Sequence, residues 1–242
     1  MAKIVAIDRE TVSLADHAYE EIKRRIFDFE LMPGDRLSES ELAQQIDVSR
    51  TPLRQALQRL QHGGFVEAIP KVGWLIPPLD FKKFDELYEF RVLIECHAVR
   101  TLGAAEKHRA TLHQLSRTWQ VPLKERLQDP LKVGALDEAF HCQLVECTGN
   151  SEMRRSYREI TERMRIIRRL DFYKPERVAA TYDEHARILA AIQKARGDEA
   201  QRLLRAHIEH SRIEVRKITL GMLYQAREHS GVARQNDWPA GV

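Results

Sequence analysis

Apolar residues recur at helical spacing along most of this chain. In residues 13–30 they fall close to every fourth position, at Leu14, Ala18, Ile22, Ile26 and Phe29. This spacing predicts an amphipathic helix with Ser13 as its N-cap. Pro33 and Gly34 then break the helical pattern.

A second pair of short helices follows, joined by a tight turn. Ser38 and Glu41 have the spacing of a capping box, which predicts a helix over residues 38–45. Ser49 is the expected N-cap of the next helix, which runs to residue 61. The pattern is that of a helix, a turn and a second helix.

Strand patterns follow directly behind this helix pair. Residues 65–69 and 73–76 are short β-prone runs joined by a turn, and they end at Pro77 and Pro78. After this point the apolar spacing predicts amphipathic helices, over 81–104, 105–117, 131–148, 151–172, 177–196 and 198–226.

The same pattern divides the chain into domains. Residues 1–78 are predicted to form a winged helix-turn-helix domain, in which a recognition helix enters the major groove. Residues 79–228 are predicted to form an all-α bundle of six to seven helices, and residues 229–242 a flexible tail. The predicted fold class is therefore mostly α.

Composition and charge indicate a soluble, cytoplasmic protein. The 242 residues are 43% hydrophobic and 31% charged, and the apolar runs are too short to span a membrane. Three cysteines without paired spacing favour a reducing compartment. The net charge is only +3, and residues 1–80 carry 10 basic against 13 acidic residues. Any DNA-binding surface must therefore be a narrow stripe.

That stripe is predicted within residues 49–79, where basic side chains outnumber acidic ones. Arg50 and Arg54 are four residues apart and so share one face of the predicted helix. An arginine fork can read guanine with about 1–3 kcal/mol of discrimination. Lys71 and Gly73 lie at the predicted tip of the wing, where they permit close approach to the DNA backbone. The alternative is a solvated helix face beside a flap that covers a core.

The stretch LMPGDRLSESELAQQIDVSRTPLRQALQRLQHGGFVE closely resembles the DNA-binding domain of the GntR family of bacterial transcription regulators. The resemblance covers residues 13–78. It implies that operator DNA is contacted by a defined set of residues, namely Ser49, Arg50, Thr51, Arg54 and Gly73. Ser40 begins the preceding helix, where relatives often contact phosphate.

A second constellation combines one carboxylate with three imidazoles. Asp137 and His141 are i, i+4 in LDEAFHCQLVECTGN, so both project from one helical face. His185 and His207 each lie beside an apolar stripe. These are donors that Zn, Ni, Fe or Mn accept, with positions left open for a ligand. From spacing alone, buried histidines whose hydrogen bonds are satisfied within the core are the commoner explanation. His210 is an alternative to His207 as the third imidazole ligand.

The stretches DEAFHCQLVECTGN and EHARILAAIQKARGDEAQRLLRAHI closely resemble the ligand-binding FCD domain of the FadR-like branch of the GntR family. This resemblance implies a divalent transition metal, with zinc as first choice, at Asp137, His141, His185 and His207. In ELYEFRVLIECHAVR it implies that Arg91 points toward a bound carboxylate effector. From the arginine cluster in TERMRIIRRLDFY we choose Arg165 as a second such residue.

The remaining polar residues of these helices have structural interpretations. Glu89 and Glu95 are interpreted as helix-surface or interface charges. Cys142 and Cys147 flank the proposed metal helix and are interpreted as core residues.

Together these features predict a transcription regulator, not an enzyme. A homodimer would place two recognition helices about 34–36 Å apart on a pseudo-palindromic operator. A small organic-acid effector at the metal site would change operator affinity, with repression relieved by effector as the commoner behaviour. The alternatives are a metal-dependent hydrolase, although no HExxH motif supplies a general base, and a helical interaction module with a structural metal.

Overall fold

The computed structural model describes residues 13–102 and 108–229. The chain divides between Leu79 and Asp80 into two compact units. Helices dominate both units, which confirms the predicted mostly α class. Of the described helices, none combines the length and the apolar content needed to cross a bilayer.

The described part of the N-terminal unit contains three helices and a small antiparallel sheet. The helices are α1 (Leu14–Phe27), α2 (Glu39–Ile46) and α3 (Arg50–His62). The strands are β1 (Arg36–Leu37), β2 (Glu67–Ile69) and β3 (Gly73–Leu75). β3 lies in the middle, with Arg36 and Glu67 both paired to Leu75. These are the elements of a winged helix-turn-helix whose wing is the β2–β3 hairpin.

The sequence does not predict strand β1, because two residues are too few to display alternation. The strand forms because the turn at Pro33 and Gly34 returns the chain alongside β3. There Gly34 N donates to Ile76 O at 2.8 Å, and Ile76 N donates to Asp35 O at 2.9 Å. The wing is thereby attached to the segment that precedes α2.

The predicted N-caps are in place, but only one acts through its side chain. Ser13 Oγ accepts a hydrogen bond from Asp16 N at 3.1 Å, as predicted for α1. Ser38 and Ser49 precede α2 and α3, yet neither side chain accepts a capping hydrogen bond in the described structure. Ser38 and Glu41 therefore do not form the predicted capping box.

Helix α3 buries its apolar face against α1. The buried residues of this face, each 0% exposed, are Leu53, Ala56, Leu57 and Leu60. On α1, Ala18 and Ile22 are also 0% exposed. Burial of one such aliphatic side chain contributes about 1.5–3 kcal/mol, so this seam fixes the rotation of α3. The polar face of α3 is left to solvent.

Within its described residues the C-terminal unit contains seven α-helices, one 3₁₀ turn (Leu123–Glu125) and no strand. The helices are α4 (Phe81–Thr101), α5 (Arg109–Trp119), α6 (Pro130–Glu146), α7 (Ser151–Asp171), α8 (Pro175–Gln193), α9 (Gly197–Val215) and α10 (Leu220–His229). The single helix predicted over 198–226 is wrong, because the chain turns after Val215. There Lys217 N and Ile218 N bond to carbonyls three residues back, and Ile218 is buried. The predicted tail covers residues 229–242; its first residue, His229, instead ends α10, and residues 230–242 lie outside the described residues.

Helix α4 packs along α9 and also contacts α6 and α7. Helices α6 and α7 pack together, as do α8 and α9. Side chains from α4, α6, α8 and α9 can therefore meet in the interior of the bundle.

Candidate nucleic-acid interface and candidate metal centre

The predicted DNA-contacting side chains lie on the solvent side of the N-terminal unit. Exposed are Ser40, Ser49, Arg50, Thr51, Arg54 and Lys71. The Arg54 side chain is 62% exposed although the opposite face of α3 is fully buried. The recognition helix therefore presents two guanidiniums outward, as reading of base edges requires.

A residue that the sequence analysis missed connects this helix to the wing. Glu39, the first residue of α2, accepts a hydrogen bond from Arg54 Nε at 2.7 Å. Its other oxygen accepts from Trp74 Nε1 of β3 at 3.2 Å. The Arg54 hydrogen bond, supported by that of Trp74, lowers the pKa of Glu39 below its usual value. No local pattern signals this role, because its partners are distant in sequence.

The wing turn depends on two residues with positive φ. Lys71 has φ 64°, in the left-handed region. Gly73 has φ +138°, and a Cβ there would lie 2.6 Å from the carbonyl oxygen of Leu37. Glycine at this position therefore has a structural reason of its own, besides any contact with DNA.

In the C-terminal unit the structure brings together all four predicted metal-ligating side chains. Asp137 and His141 come from α6, His185 from α8 and His207 from α9. All four are buried, and one donor atom of each lies within 4.8 Å of the others. The i, i+4 spacing on α6 supplies two donors, and helix packing supplies the other two.

The separations between these donor atoms fit a shared ion. His207 Nε2 lies 3.1 Å from His141 Nε2 and 3.4 Å from His185 Nε2. Asp137 Oδ1 lies 3.5 and 3.4 Å from the same two nitrogens. Ligands about 2.1 Å from a metal are about 3.0–3.4 Å apart at octahedral and tetrahedral angles. The donor set and its spacing therefore suit a divalent transition metal.

Outer carboxylates fix the orientation of two imidazoles. His141 Nδ1 lies 2.5 Å from Glu95 Oε2, and His207 Nδ1 lies 2.7 Å from Glu184 Oε2. An Nδ1–H that donates outward leaves the Nε2 lone pair directed at the centre. Asp137 Oδ1 accepts no hydrogen bond within the described structure, so its lone pairs are also available.

The third imidazole is held by aromatic packing. His185 stacks on Phe140 with ring centroids 3.8 Å apart, and Trp119 contacts it edge-on at 4.2 Å. Burial lowers the pKa of His185 well below its usual value. Burial likewise lowers the pKa of His207 to about 4. Both rings are therefore neutral near pH 7, which is the protonation state that a metal requires.

Glu95 lies at the centre of this outer layer, and its interpretation as a surface charge is wrong. It is 0% exposed and accepts hydrogen bonds from Arg91 Nε at 2.5 Å and Tyr157 OH at 2.7 Å. Burial by itself would raise the pKa of Glu95, but Arg91 and His141 hold it well below its usual range. Glu95 is therefore an ionised acceptor that links Arg91 to His141.

The arginines of α7 divide between two environments. Arg165 forms a bidentate pair with Glu138, at 2.9 Å from Nε and 2.5 Å from Nη2, and is partly exposed. Arg168 is buried and donates from Nη2 to Asp137 Oδ2. Within the cluster that the sequence identifies, Arg168 is thus the residue that contacts the ligand set.

Two family profiles match the chain over these structural units. The profile of the bacterial regulatory proteins of the gntR family matches residues 14–76, and the FCD domain profile matches residues 86–210. The chain belongs to the GntR family of bacterial regulators. The predicted resemblance to the GntR DNA-binding domain and to the FCD domain is thereby confirmed.

Relatives of this GntR-family protein are transcription regulators. The Nta operon transcriptional regulator of Aminobacter aminovorans is 32% identical over 80% of this chain and 90% of its own length. The transcriptional repressor RspR of Escherichia coli K12 is 24% identical over 83% of this chain and 88% of its own length. The family profile and these relatives are those of transcription regulators and not of enzymes.

Solved structures share the fold. A GntR transcriptional regulator from Rhodococcus sp. RHA1 has a TM-score of 0.68 at 20% identity, covering 85% of this chain and 98% of its own. Escherichia coli McbR/YncC has a TM-score of 0.63 at 22% identity, covering 89% and 99%. At this level of identity the likeness concerns architecture alone.

Proposed function

We propose that this GntR-family regulator is a cytoplasmic repressor whose operator affinity is modulated by a small carboxylate bound at a metal in the FCD domain. The observation that carries the proposal is the buried set of Asp137, His141, His185 and His207, with donor atoms within 4.8 Å. The outward orientation of Arg50 and Arg54 supports the DNA-binding part.

The proposed DNA interface consists of the exposed face of α3 with the start of α2 and the wing. Its residues are Ser40, Ser49, Arg50, Thr51, Arg54, Lys71 and Gly73. In a homodimer, two such faces would contact half-sites about 34–36 Å apart on a pseudo-palindromic operator. Arg50→Ala should weaken binding to the operator by a factor corresponding to about 1–3 kcal/mol. Unchanged affinity for the operator would refute this interface.

The proposed metal is divalent, with zinc preferred to nickel, iron and manganese because imidazole-rich sites suit zinc. When bound, it supplies open coordination positions that accept a carboxylate oxygen. Arg91 is the proposed contact for that carboxylate, and Arg165 is the second arginine that the sequence analysis proposes. Glu95 and Glu184 would keep the histidine ligands in the tautomer that binds metal.

Metal analysis tests the site directly. Protein purified without added metal should retain metal, and His185→Ala should lose most of it. The matched control is His210→Ala, because the His210 side chain is 46% exposed and contacts Glu184 without joining the donor set. Equal metal content in wild type and His185→Ala would count against the site.

Regulation requires the effector to bind one arrangement of the protein better than another. A coupling of about 1–3 kcal/mol is typical of such systems. Operator affinity should therefore change when a carboxylic acid is added to metal-loaded protein, and the acid should be recovered unchanged. Metal retention with no effect of any acid on DNA binding would instead indicate a structural metal.

A further inference from the structure

Some buried donor groups near the candidate metal centre have no acceptor. Arg91 is 1% exposed, and although its Nε donates to Glu95, its Nη2 has no hydrogen-bond partner in the described structure. Arg168 is 6% exposed, and although its Nη2 donates to Asp137, its Nη1 is similarly unpartnered. A buried guanidinium N–H without an acceptor has lost its bond to water and gained none, so a native fold normally supplies an acceptor.

The two guanidiniums belong to one neighbourhood. Arg91 and Arg168 interact electrostatically with one another, and both interact with Asp137, Tyr88 and Tyr157. Each therefore has one hydrogen bond to the metal-centre network and a second donor free for another partner.

A hydroxyl on the same helix face adds a further unpartnered group. Thr161 lies one turn after Tyr157 on α7, and Arg168 lies two turns after Thr161, so all three share one face. Tyr157 and Arg168 contact Glu95 and Asp137 respectively. The Thr161 hydroxyl is buried and has no hydrogen-bond partner among the described residues.

The buried charged side chains around the candidate metal centre sum to zero without a metal ion. Two arginines face two carboxylates, namely Arg91, Arg168, Glu95 and Asp137. The adjoining ion-pair group is also balanced, with three basic side chains against three carboxylates, namely Lys174, Arg177 and Lys217 against Asp171, Glu184 and Glu214. A divalent metal on neutral imidazoles would raise the net charge by two. An uncompensated charge in a low-dielectric interior is costly, so two further negative charges are needed for balance.

We propose that Arg91 and Arg168 form a buried anion receptor beside the metal ligands, and that the effector is consequently a doubly charged acid, a dicarboxylate. This inference rests on the proposed function, because it assumes a metal at the four donors and an acid effector. One carboxylate would occupy the open metal positions, and the second would accept from the free Nη groups. Arg168, rather than Arg165, is then the second effector-binding arginine.

Matched pairs of acids test the charge requirement. Metal-loaded full-length protein is titrated calorimetrically with malonate, succinate and malate, and with monocarboxylates of similar size, propionate, butyrate and 3-hydroxybutyrate. At least one dicarboxylate should bind about tenfold or more tightly than its monocarboxylate partner, because charge-assisted hydrogen bonds to a second carboxylate are added. Metal content is measured before and after, so that extraction of metal by the acid is detected.

Substitutions on α7 test which arginine contacts the second carboxylate. Arg168→Gln should weaken the dicarboxylate about tenfold more than its monocarboxylate partner, so the preference should fall to near unity even though loss of the contact with Asp137 weakens both acids. A merely structural arginine would weaken both acids by the same factor and leave the preference intact, and this outcome would overturn the proposal. Arg158→Gln is the matched control, because Arg158 is exposed on the same helix and paired with Glu146. A loss of preference in Arg165→Gln, with Arg168→Gln unaffected, would also overturn it.

The outcomes separate this inference from the proposed function. Equal binding of both members of every pair, with metal retained, would refute the dicarboxylate class and leave the metal-effector site standing. Failure of every acid to bind, or failure of the protein to hold metal, would refute both. A dicarboxylate preference that depends on Arg168 would support both.

Discussion

Replacing Glu95 by glutamine is the sharpest test of the outer layer of the metal centre. The Glu95 carboxylate accepts from three groups, His141 Nδ1, Arg91 Nε and Tyr157 OH, at distances of 2.5–2.7 Å. Glutamine keeps the size of the side chain but removes the charge and one acceptor oxygen. Its amide NH₂ must then face a donor, either the imidazole or the guanidinium.

The magnitude follows from these contacts. Loss of an outer carboxylate typically weakens metal binding about 10–100-fold, which corresponds to about 1.4–2.7 kcal/mol. The metal-free protein should also lose stability, because Arg91 is left as a buried charge without its partner, and breaking such a pair costs about 3–5 kcal/mol. Glu95→Gln should therefore lower both the metal affinity and the free energy of unfolding of the metal-free protein.

The assay is competition for zinc between the folded protein and a chromophoric chelator, with circular dichroism to verify folding. Tyr157→Phe is the matched control, since it removes one donor but leaves the Glu95 carboxylate on His141 and Arg91. That variant should bind zinc nearly as tightly as wild type. If folded Glu95→Gln also retained wild-type zinc affinity, the reasoning that Glu95 orients His141 would be refuted.

Three further predictions concern the DNA-binding unit. Glu39→Gln weakens the hydrogen bond that positions Arg54. In fluorescence anisotropy, the ratio of operator affinity to scrambled-duplex affinity should therefore fall by a factor corresponding to about 1–3 kcal/mol. An unchanged ratio would contradict a role of Glu39 in positioning Arg54. Gly73→Ala forces a Cβ against the neighbouring strand at a positive φ, which should cost about 1–3 kcal/mol of stability in chemical denaturation. A hydrogen bond from Arg24 lowers the pKa of Glu21 from 4.5 to about 2. This stabilisation is present above pH 4.5 and is lost as the pH falls from about 4.5 to about 2, so Glu21→Gln should flatten the stability curve in that window.

The helices of the fold could be predicted because their causes are local. The apolar spacing in residues 13–30 and the cap at Ser13 together define α1, and both are visible in the sequence. Strand β1 could not be predicted, because its two residues form a strand only through hydrogen bonds to a segment almost forty residues away. The predicted helix over 198–226 failed for a related reason, since the turn at Ile218 follows from its burial in the bundle.

The apolar periodicity that predicted the helices predicts only part of the candidate metal-ligand set. The pair Asp137 and His141 follows from i, i+4 spacing on one helix. That His185 and His207 should meet them depends on the packing of three helices, and only the resemblance to the FCD domain indicated it. Spacing on α7 also could not separate Arg165 from Arg168. They are three residues apart and so lie only about 60° from one another around the helix, and only the position of α6 decides which one reaches Asp137.

Glu95 shows why residues that orient the metal ligands, without being ligands themselves, cannot be predicted from the sequence. Arg91 and Glu95 are an i, i+4 pair of opposite charge, which is the pattern of an exposed helix surface. On α4 the same spacing points inward, because Tyr157 and His141 on two other helices satisfy the carboxylate that burial would otherwise penalise. Whether a charged pair faces water or the core is therefore decided by partners that are distant in sequence. A buried ion pair on a helix that otherwise appears amphipathic is consequently an indication of a functional centre. It can be recognised only from the packed structure, because the sequence does not show which face of the helix is buried.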